Sequence, residues 1–191
     1  MNLRLAVIIG STRNGRFGPT VASWFAQQAA KRADLDIDVV DLATANLPQT
    51  LSDTDEPTPT EVAVLAPRLA AADAFAVVTP EYNSSFPASL KTALDWYYEE
   101  WHAKPVAIVA YGRETGGLYA VAQLRQVFTE LQAVAIRNTV TLPCYWEQFA
   151  ADGSWPRPGS GYEALAKTTL DQLVWWAHAL RDARIKQPYQ A

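Results

Sequence analysis

The 191-residue chain has one cysteine, Cys144, one methionine and two histidines, His102 and His178. A single cysteine excludes an internal disulfide, which fits a reducing compartment, and a cytoplasmic protein is expected. His102, His178 and Cys144 have no metal-ligand spacing, and no G-x-S-x-G elbow is present, so neither a metal centre nor a serine nucleophile is expected. Charge is sparse, at 19% of residues, and net −4 rather than basic. Nucleic-acid binding, which needs a basic excess or stripe, is not expected. No apolar run approaches the ~20 residues of a membrane span. Arg4 is followed by apolar residues only from Leu5 to Ile9 before Gly10, too few for a signal-peptide core.

Two phosphate-binding signatures are also missing. The dinucleotide pattern G-x-G-x-x-G does not occur. The nucleotide-triphosphate loop is matched only from Gly10 to Gly15, and Arg16 and Phe17 stand where it requires lysine and a metal-binding hydroxyl. An ATPase or GTPase is therefore not expected.

Hydrophobic residues make up 49% of the chain, enough for one sizeable core, so residues 1–191 read as a single domain. Leu3 to Ile9 is a near-continuous apolar run, as in a strand buried on both faces. Further strands are expected at Ile37–Leu42, Ala74–Thr79, Pro105–Tyr111 and within Ala133–Leu142. Helical spacing follows each strand. It carries Val21, Trp24, Phe25 and Ala29 after the first. Glu61–Ala72 reads as a helix kinked at Pro67 or beginning near it. The next helix has Pro87 in its first turn and Ser84 or Ser85 as cap, with Leu90, Ala93, Leu94, Tyr97 and Trp101 on one stripe. Leu118–Leu131 and a helix from Tyr162 complete the set. Thr44–Thr60 and Pro143–Gly161 show no period and read as loops.

Five β-α repeats imply a parallel sheet with helices on both faces. The expected fold class is α/β, a flavodoxin-like three-layer sandwich with strand order 2-1-3-4-5. In such sheets the ligand sits beyond the carboxyl ends of the strands, where the order reverses. Three loops are thereby singled out. Gly10–Gly18 carries Ser11, Thr12, Arg13 and Arg16 into a helix N-terminus, an inventory suited to a bound phosphate. Pro80–Pro87 has a proline at each end and can offer backbone N–H groups to a planar heterocycle, with Tyr82 as an aromatic wall. Gly112–Gly117 is glycine-rich and permits close backbone approach. Seven Trp, eight Tyr and six Phe serve a bulky core, an aromatic cofactor site or an oligomer interface.

The stretches GSTRNGRFGPTVASWF, TPEYNSSFPASLKTALDW and YGRETGGLYAVAQLRQVF resemble the NADPH-dependent FMN reductase family, with its quinone, chromate and azo-dye reductase members. The resemblance covers roughly residues 3 to 142, and PEYN followed by LK-x-A-x-DW is its specific part. It implies FMN as cofactor and NADPH or NADH as electron donor. Ser11, Thr12, Arg13, Arg16, Phe17 and Gly18 would surround the phosphate. Pro80, Glu81, Tyr82, Asn83 and Ser84 would line the ring. Tyr111, Gly112, Gly116 and Gly117 would close its other side. The flavin N5 would carry the hydride, so no catalytic side chain is required, and the kinetics would be ping-pong. The acceptor would be a quinone, a free flavin, a nitro or azo compound, or a metal oxyanion. An electron carrier without a nicotinamide site, or a flavin-sensing or scaffold module, are the alternatives.

The resemblance also implies a homodimer or homotetramer, paired through the helix after PEYN. Helical spacing points Trp96, Tyr98 and Glu100 away from that helix's core stripe, and Trp96 or Tyr98 is expected to meet the partner. Trp175 is likewise expected to face outward, beside Glu163, Lys167 and Asp171.

Overall fold

The computed structural model describes residues 2–52 and 55–190. Its five strands are β1 (Leu3–Ile9), β2 (Leu35–Asp41), β3 (Ala74–Pro80), β4 (Pro105–Gly112) and β5 (Val134–Pro143). They form one parallel sheet in the order β2-β1-β3-β4-β5. The helices are α1 (Gly18–Ala30), α2 (Leu42–Ala45), α3 (Thr60–Ala70), α4 (Ala88–Trp96), α5 (Leu118–Glu130) and α6 (Tyr162–Lys186). This is the expected flavodoxin-like sandwich. β3 and β4 are buried at every position and so read as unbroken apolar runs. The edge strands β2 and β5 mix buried and exposed positions. Alternate residues of β1 separate the two cores. Leu3, Leu5, Val7 and Ile9 pack under α1 and α6, while Ala6 and Ile8 pack under α3, α4 and α5. No helix among the described residues is long and apolar enough to cross a membrane.

Several local expectations need correction. α3 begins at Thr60, not near Pro67, and continues through that proline. α4 is preceded by Pro87, and no side chain caps it; Ser84 and Ser85 belong to a tight turn instead. The apolar stripe of α4 does not reach Trp101 as helix. α4 stops at Trp96, and a 3₁₀ turn at Glu99–Trp101 carries Trp101 into the core, where Trp101 Nε1 donates to Tyr97 O at 2.8 Å. The segment expected to be a loop from Thr44 onward overlaps α2, which Asp41 caps; residues 53 and 54 of it lie outside the described residues. Trp96 is half-buried and donates through Nε1 to Pro48 O at 2.8 Å, so its ring is engaged within the chain. Trp175 is exposed, as its helical position requires.

The amino end of β4 holds one buried cation. Lys104 is 6% exposed, and its ammonium donates to Leu69 O and Ala70 O, the last carbonyls of α3. Burial, with Arg184 nearby, pushes its pKa down to about 8, against the opposing pull of Asp73 and Glu100. The unfolded chain keeps that proton up to its ordinary value of 10.5. Between about pH 8 and 10.5 the unfolded state therefore binds more protons, and stability should rise with pH. Tyr97 acts oppositely from about pH 10, because burial and then Glu100 push its phenol up to about 12. The Cys144 thiol, also pushed up from its ordinary 9.0, opposes the trend from about pH 9, so the clean window is pH 8 to 9. Denaturant midpoints should climb across it, and Lys104→Met should flatten the climb; parallel curves for the two proteins would contradict this origin.

Candidate active site

The site is built where three strands end side by side. Gly10 N donates to Val78 O at 2.8 Å, and Glu81 N donates to Tyr111 O at 2.9 Å, so the sheet ladder continues into the loops and fixes their starting points. Ser89 donates through Oγ to Gly10 O at 2.7 Å, which ties the start of the first loop to α4, the helix that follows the second.

The first loop supplies donors. The backbone N–H groups of Ser11, Thr12, Arg13, Asn14 and Gly15 find no acceptor among the described residues. α1 follows directly, begins without a side-chain cap and has Pro19 in its first turn. Open amides at the positive end of a thirteen-residue helix favour an anion. Ser11 is fully buried, so its amide cannot turn to bulk water, and its hydroxyl shares a 2.8 Å hydrogen bond with Tyr82 Oη. A buried, unmatched N–H costs about 1–3 kcal/mol. Arg13 is exposed and makes no ion pair among the described residues, whereas Arg16 is held at 2.5 Å by Asp41.

The second loop is a turn of unusual conformation. Asn83 and Ser84 both have positive φ, at 50° and 62°, and reciprocal bonds of 2.8 and 2.9 Å between Tyr82 and Ser85 close the turn. This is the sign pattern of a type I′ turn built without glycine, which costs conformational energy and needs external support. Gln123 of α5 provides that support. Its Nε2 donates to Ser84 O and its Oε1 accepts from Ser85 Oγ, each at 2.7 Å. Glu81 braces from the other side, accepting from Thr115 Oγ1 and from Tyr119 N, each at 3.0 Å. The carboxylate therefore joins the second and third loops.

Between the three loops lies a cleft of about 1040 Å³. Arg13, Arg16 and Phe17 line one end of it. Pro80, Glu81, Tyr82, Asn83 and Ser84 also line it, and Tyr111 and Gly112 line it from the adjacent strand end, where Tyr111 pairs with Pro80. Thr12 lines an adjoining cleft of about 630 Å³, which shares Arg13 and Tyr82 with the first. Ser11, Gly18, Gly116 and Gly117 line neither cleft and lie beneath the surface. A Cβ on Gly18 would stand 2.8 Å from Ile9 and 3.3 Å from Tyr111 Oη, so this glycine makes room for a phenol. Gly116 packs on Pro143, and Gly117 on Ala110. These residues shape the site without facing it.

Two buried polar atoms beside the cleft lack partners, Arg16 Nε and Tyr111 Oη. Tyr111 is 2% exposed. Burial, reinforced by Tyr82 and Tyr145 and opposed by Arg16, pushes its phenol well up from the ordinary range, so it stays protonated and can donate.

Residues outside the three loops were not foreseen. Tyr145 and Trp146 line the cleft from a 3₁₀ turn just after β5, and Tyr119 lines it from the first turn of α5. Phe17 packs between Tyr145, at 4.7 Å between ring centroids, and Trp155, at 5.0 Å. The Pro143–Gly161 segment is thus one aromatic side of the site. Its position after the carboxyl end of β5 was the available signal. Within it, desolvation, then Glu147 and Glu114, push the Cys144 thiol up, with Arg113 opposing, which disfavours the thiolate.

Comparisons with known proteins identify the family and the fold. The sequence model of the NADPH-dependent FMN reductase family matches residues 3–147. An NAD(P)H-dependent FMN reductase of Schizosaccharomyces pombe is 36% identical over 152 residues, 73% of this chain and 74% of the relative. A 2-hydroxy-1,4-benzoquinone reductase of a Burkholderia species is 31% identical over 97% of this chain and the whole of the relative. Among solved structures, the flavoenzyme NAD(P)H:(acceptor) oxidoreductase FerB of Paracoccus denitrificans superposes with a TM-score of 0.76. That match covers 91% of this chain and 98% of the other at 24% identity, a likeness of fold.

Proposed function

The chain belongs to the NADPH-dependent FMN reductase family, and we propose that its cleft holds FMN with the phosphate on the loop after β1 and the ring between the loops after β3 and β4. The protein is an NAD(P)H-dependent flavin oxidoreductase of the FMN reductase and quinone reductase type. The observation that carries the cofactor assignment is the row of unmatched, exposed amides from Thr12 to Gly15 just ahead of α1.

The residues present fit the group. Arg13 supplies a free guanidinium for the phosphate, and Arg16 a second one from the cleft wall. Tyr111 offers a neutral O–H, and the amides of Asn83 and Ser84 also have no acceptor among the described residues. Gly112 lets its own loop fold tightly at the cleft: a Cβ there would stand 3.0 Å from Gly117 N and press the loop outward by a few tenths of an ångström. Bound FMN supplies the redox chemistry, taking a hydride from NAD(P)H and passing two electrons to an acceptor. The protein contributes binding, orientation and an aromatic enclosure. Tyr82, Tyr119, Tyr145 and Trp146 surround the cleft with flat apolar faces. They support a planar acceptor, and quinones are the class we assign, in keeping with the names of the relatives. The single-cysteine composition supports a cytoplasmic place of action.

The test is spectroscopic. Purified protein, as isolated or after addition of FMN, should show a flavin spectrum that NADPH or NADH alone bleaches and a quinone restores. Failure to bind FMN would overturn the assignment. Binding without reduction by either nicotinamide would make the protein an electron carrier.

Tyr82→Ala should change the rate of flavin reduction or the preference among acceptors more than it changes fold stability. Tyr82 is only half-buried, and its hydroxyl has one partner, Ser11. Stopped-flow reduction beside a denaturant curve checks this; unchanged flavin spectrum, affinity and kinetics would remove the ring from this loop.

We also assign a second copy of the chain as partner. Tyr98, on the segment after α4, is 51% exposed although its hydroxyl accepts from Gln132 Nε2 at 3.0 Å and its ring meets His102, whereas Trp96 is half-buried and donates to Pro48 O. Light scattering should give at least twice the 21.0 kDa chain mass. A fully active monomer at micromolar concentration would end this reading.

A further inference from the structure

Asp41 is the last residue of β2 and pairs in register with Ile9, the last residue of β1. Its carboxylate therefore leaves the sheet beside the loop that begins at Gly10. Oδ1 accepts from Ala43 N at 3.0 Å and caps α2. Oδ2 accepts from Arg16 Nη2 at 2.5 Å. The two side chains are 18% and 23% exposed, so water screens this pair less than the Arg68–Asp38 pair, at 45% and 46%. In this arrangement Arg16 Nε is buried without an acceptor. The charge-assisted bond to Asp41 thus holds the guanidinium where its Nε gains no bond of its own among the described residues.

We propose that Asp41 is the positioning residue of the anion loop, holding the Arg16 guanidinium at the cleft wall before the ligand arrives. The inference rests on the reading that this loop takes the FMN phosphate. An arginine side chain loses much rotamer freedom when it is fixed on a ligand. Fixing it during folding removes that cost from the binding step. The opposing effect is repulsion between the Asp41 carboxylate and the phosphate. Arg16 neutralises the carboxylate at contact distance, and preorganisation outweighs the residual repulsion.

The two roles of Asp41 can be separated. Asparagine caps helices as well as aspartate does. Asp41→Asn therefore keeps the acceptor for Ala43 N and removes the charge that holds Arg16. Flavin fluorescence titration of the full chain, stripped of flavin, should show FMN affinity falling about tenfold, with riboflavin affinity changed less than about twofold. Asp41→Ser, another capping residue without charge, should give the same ratio and serves if the Asn variant does not fold. Asp41→Glu should recover part of the loss. Unchanged or tighter FMN binding in the uncharged variants, or equal losses for FMN and riboflavin, would overturn the proposal. Arg16→Ala in the same titration separates the two levels. If it too leaves the FMN-to-riboflavin ratio unaltered, the phosphate assignment itself fails. If it alters the ratio while Asp41→Asn does not, only the role of Asp41 falls.

Discussion

Replacing Arg13 and Arg16 together with alanine is expected to weaken FMN binding on the order of a hundredfold or more, and riboflavin binding far less. Hydrogen bonds to charged groups contribute roughly 1.5–3 kcal/mol each, and about 1.4 kcal/mol is a factor of ten in affinity. The two arginines are not equivalent. Arg13 is exposed and shares its charge with solvent, so its contribution should lie near the low end of that range. Arg16 is 18% exposed, and its removal also leaves the Asp41 carboxylate without its cation, adding repulsion toward a phosphate. The larger share of the loss should therefore come from Arg16. Riboflavin has no phosphate and reports only the ring and ribityl contacts. Titrations of both flavins against wild-type and variant proteins decide the matter; equal losses would move the phosphate elsewhere.

The second large effect concerns folding. Gly117→Ala should destabilise the protein by roughly 3 kcal/mol or more, from overpacking together with backbone strain. Gly117 precedes α5 with φ of 99°, and a Cβ there would stand 2.5 Å from Ala110 Cβ and 3.1 Å from Tyr111 N. Those atoms belong to β4, a fully buried central strand that pairs on both sides and cannot move away. Gly159→Ala is the control. It has a similar φ of 77°, but nothing lies within 4 Å of its added Cβ. The control isolates conformational strain, and the difference in denaturant midpoint between the two variants isolates the steric contact. Equal midpoints would show that the strand yields. The same substitution should also disturb Tyr111, and so the flavin spectrum, in whatever fraction remains folded.

The separation of folding glycines from site residues was not legible in the linear chain. Gly116 and Gly117 read as backbone meeting a ligand because they follow a strand at the expected edge. They instead meet β5 and β4. A glycine reports that something comes close, not what it is. Glu81 reads as a ring-lining residue within PEYN, yet its carboxylate is spent on Thr115 and Tyr119, more than thirty positions away. Trp96 reads as a spare aromatic by helical spacing, but Pro48 lies over that side of α4 and accepts its N–H. Each of these partners is remote in sequence, and no local period encodes it.

What the sequence determined by itself was the architecture and the place of the chemistry. Unbroken apolar runs at β3 and β4 can be satisfied only by burial on both faces, and five strands alternating with helical periods leave a parallel sheet as the solution. That topology brings the loops after β1, β3 and β4 to one edge, and their Gly, Arg and Tyr content marked them. Only the tertiary structure decided which of these side chains face the cleft, that Asp41 restrains Arg16, and that Tyr145 and Trp146 complete the wall. The physical reason is range. Periodicity and turn chemistry act between near neighbours along the chain, whereas side-chain pairing across the sheet edge depends on distances fixed only once the strands have docked.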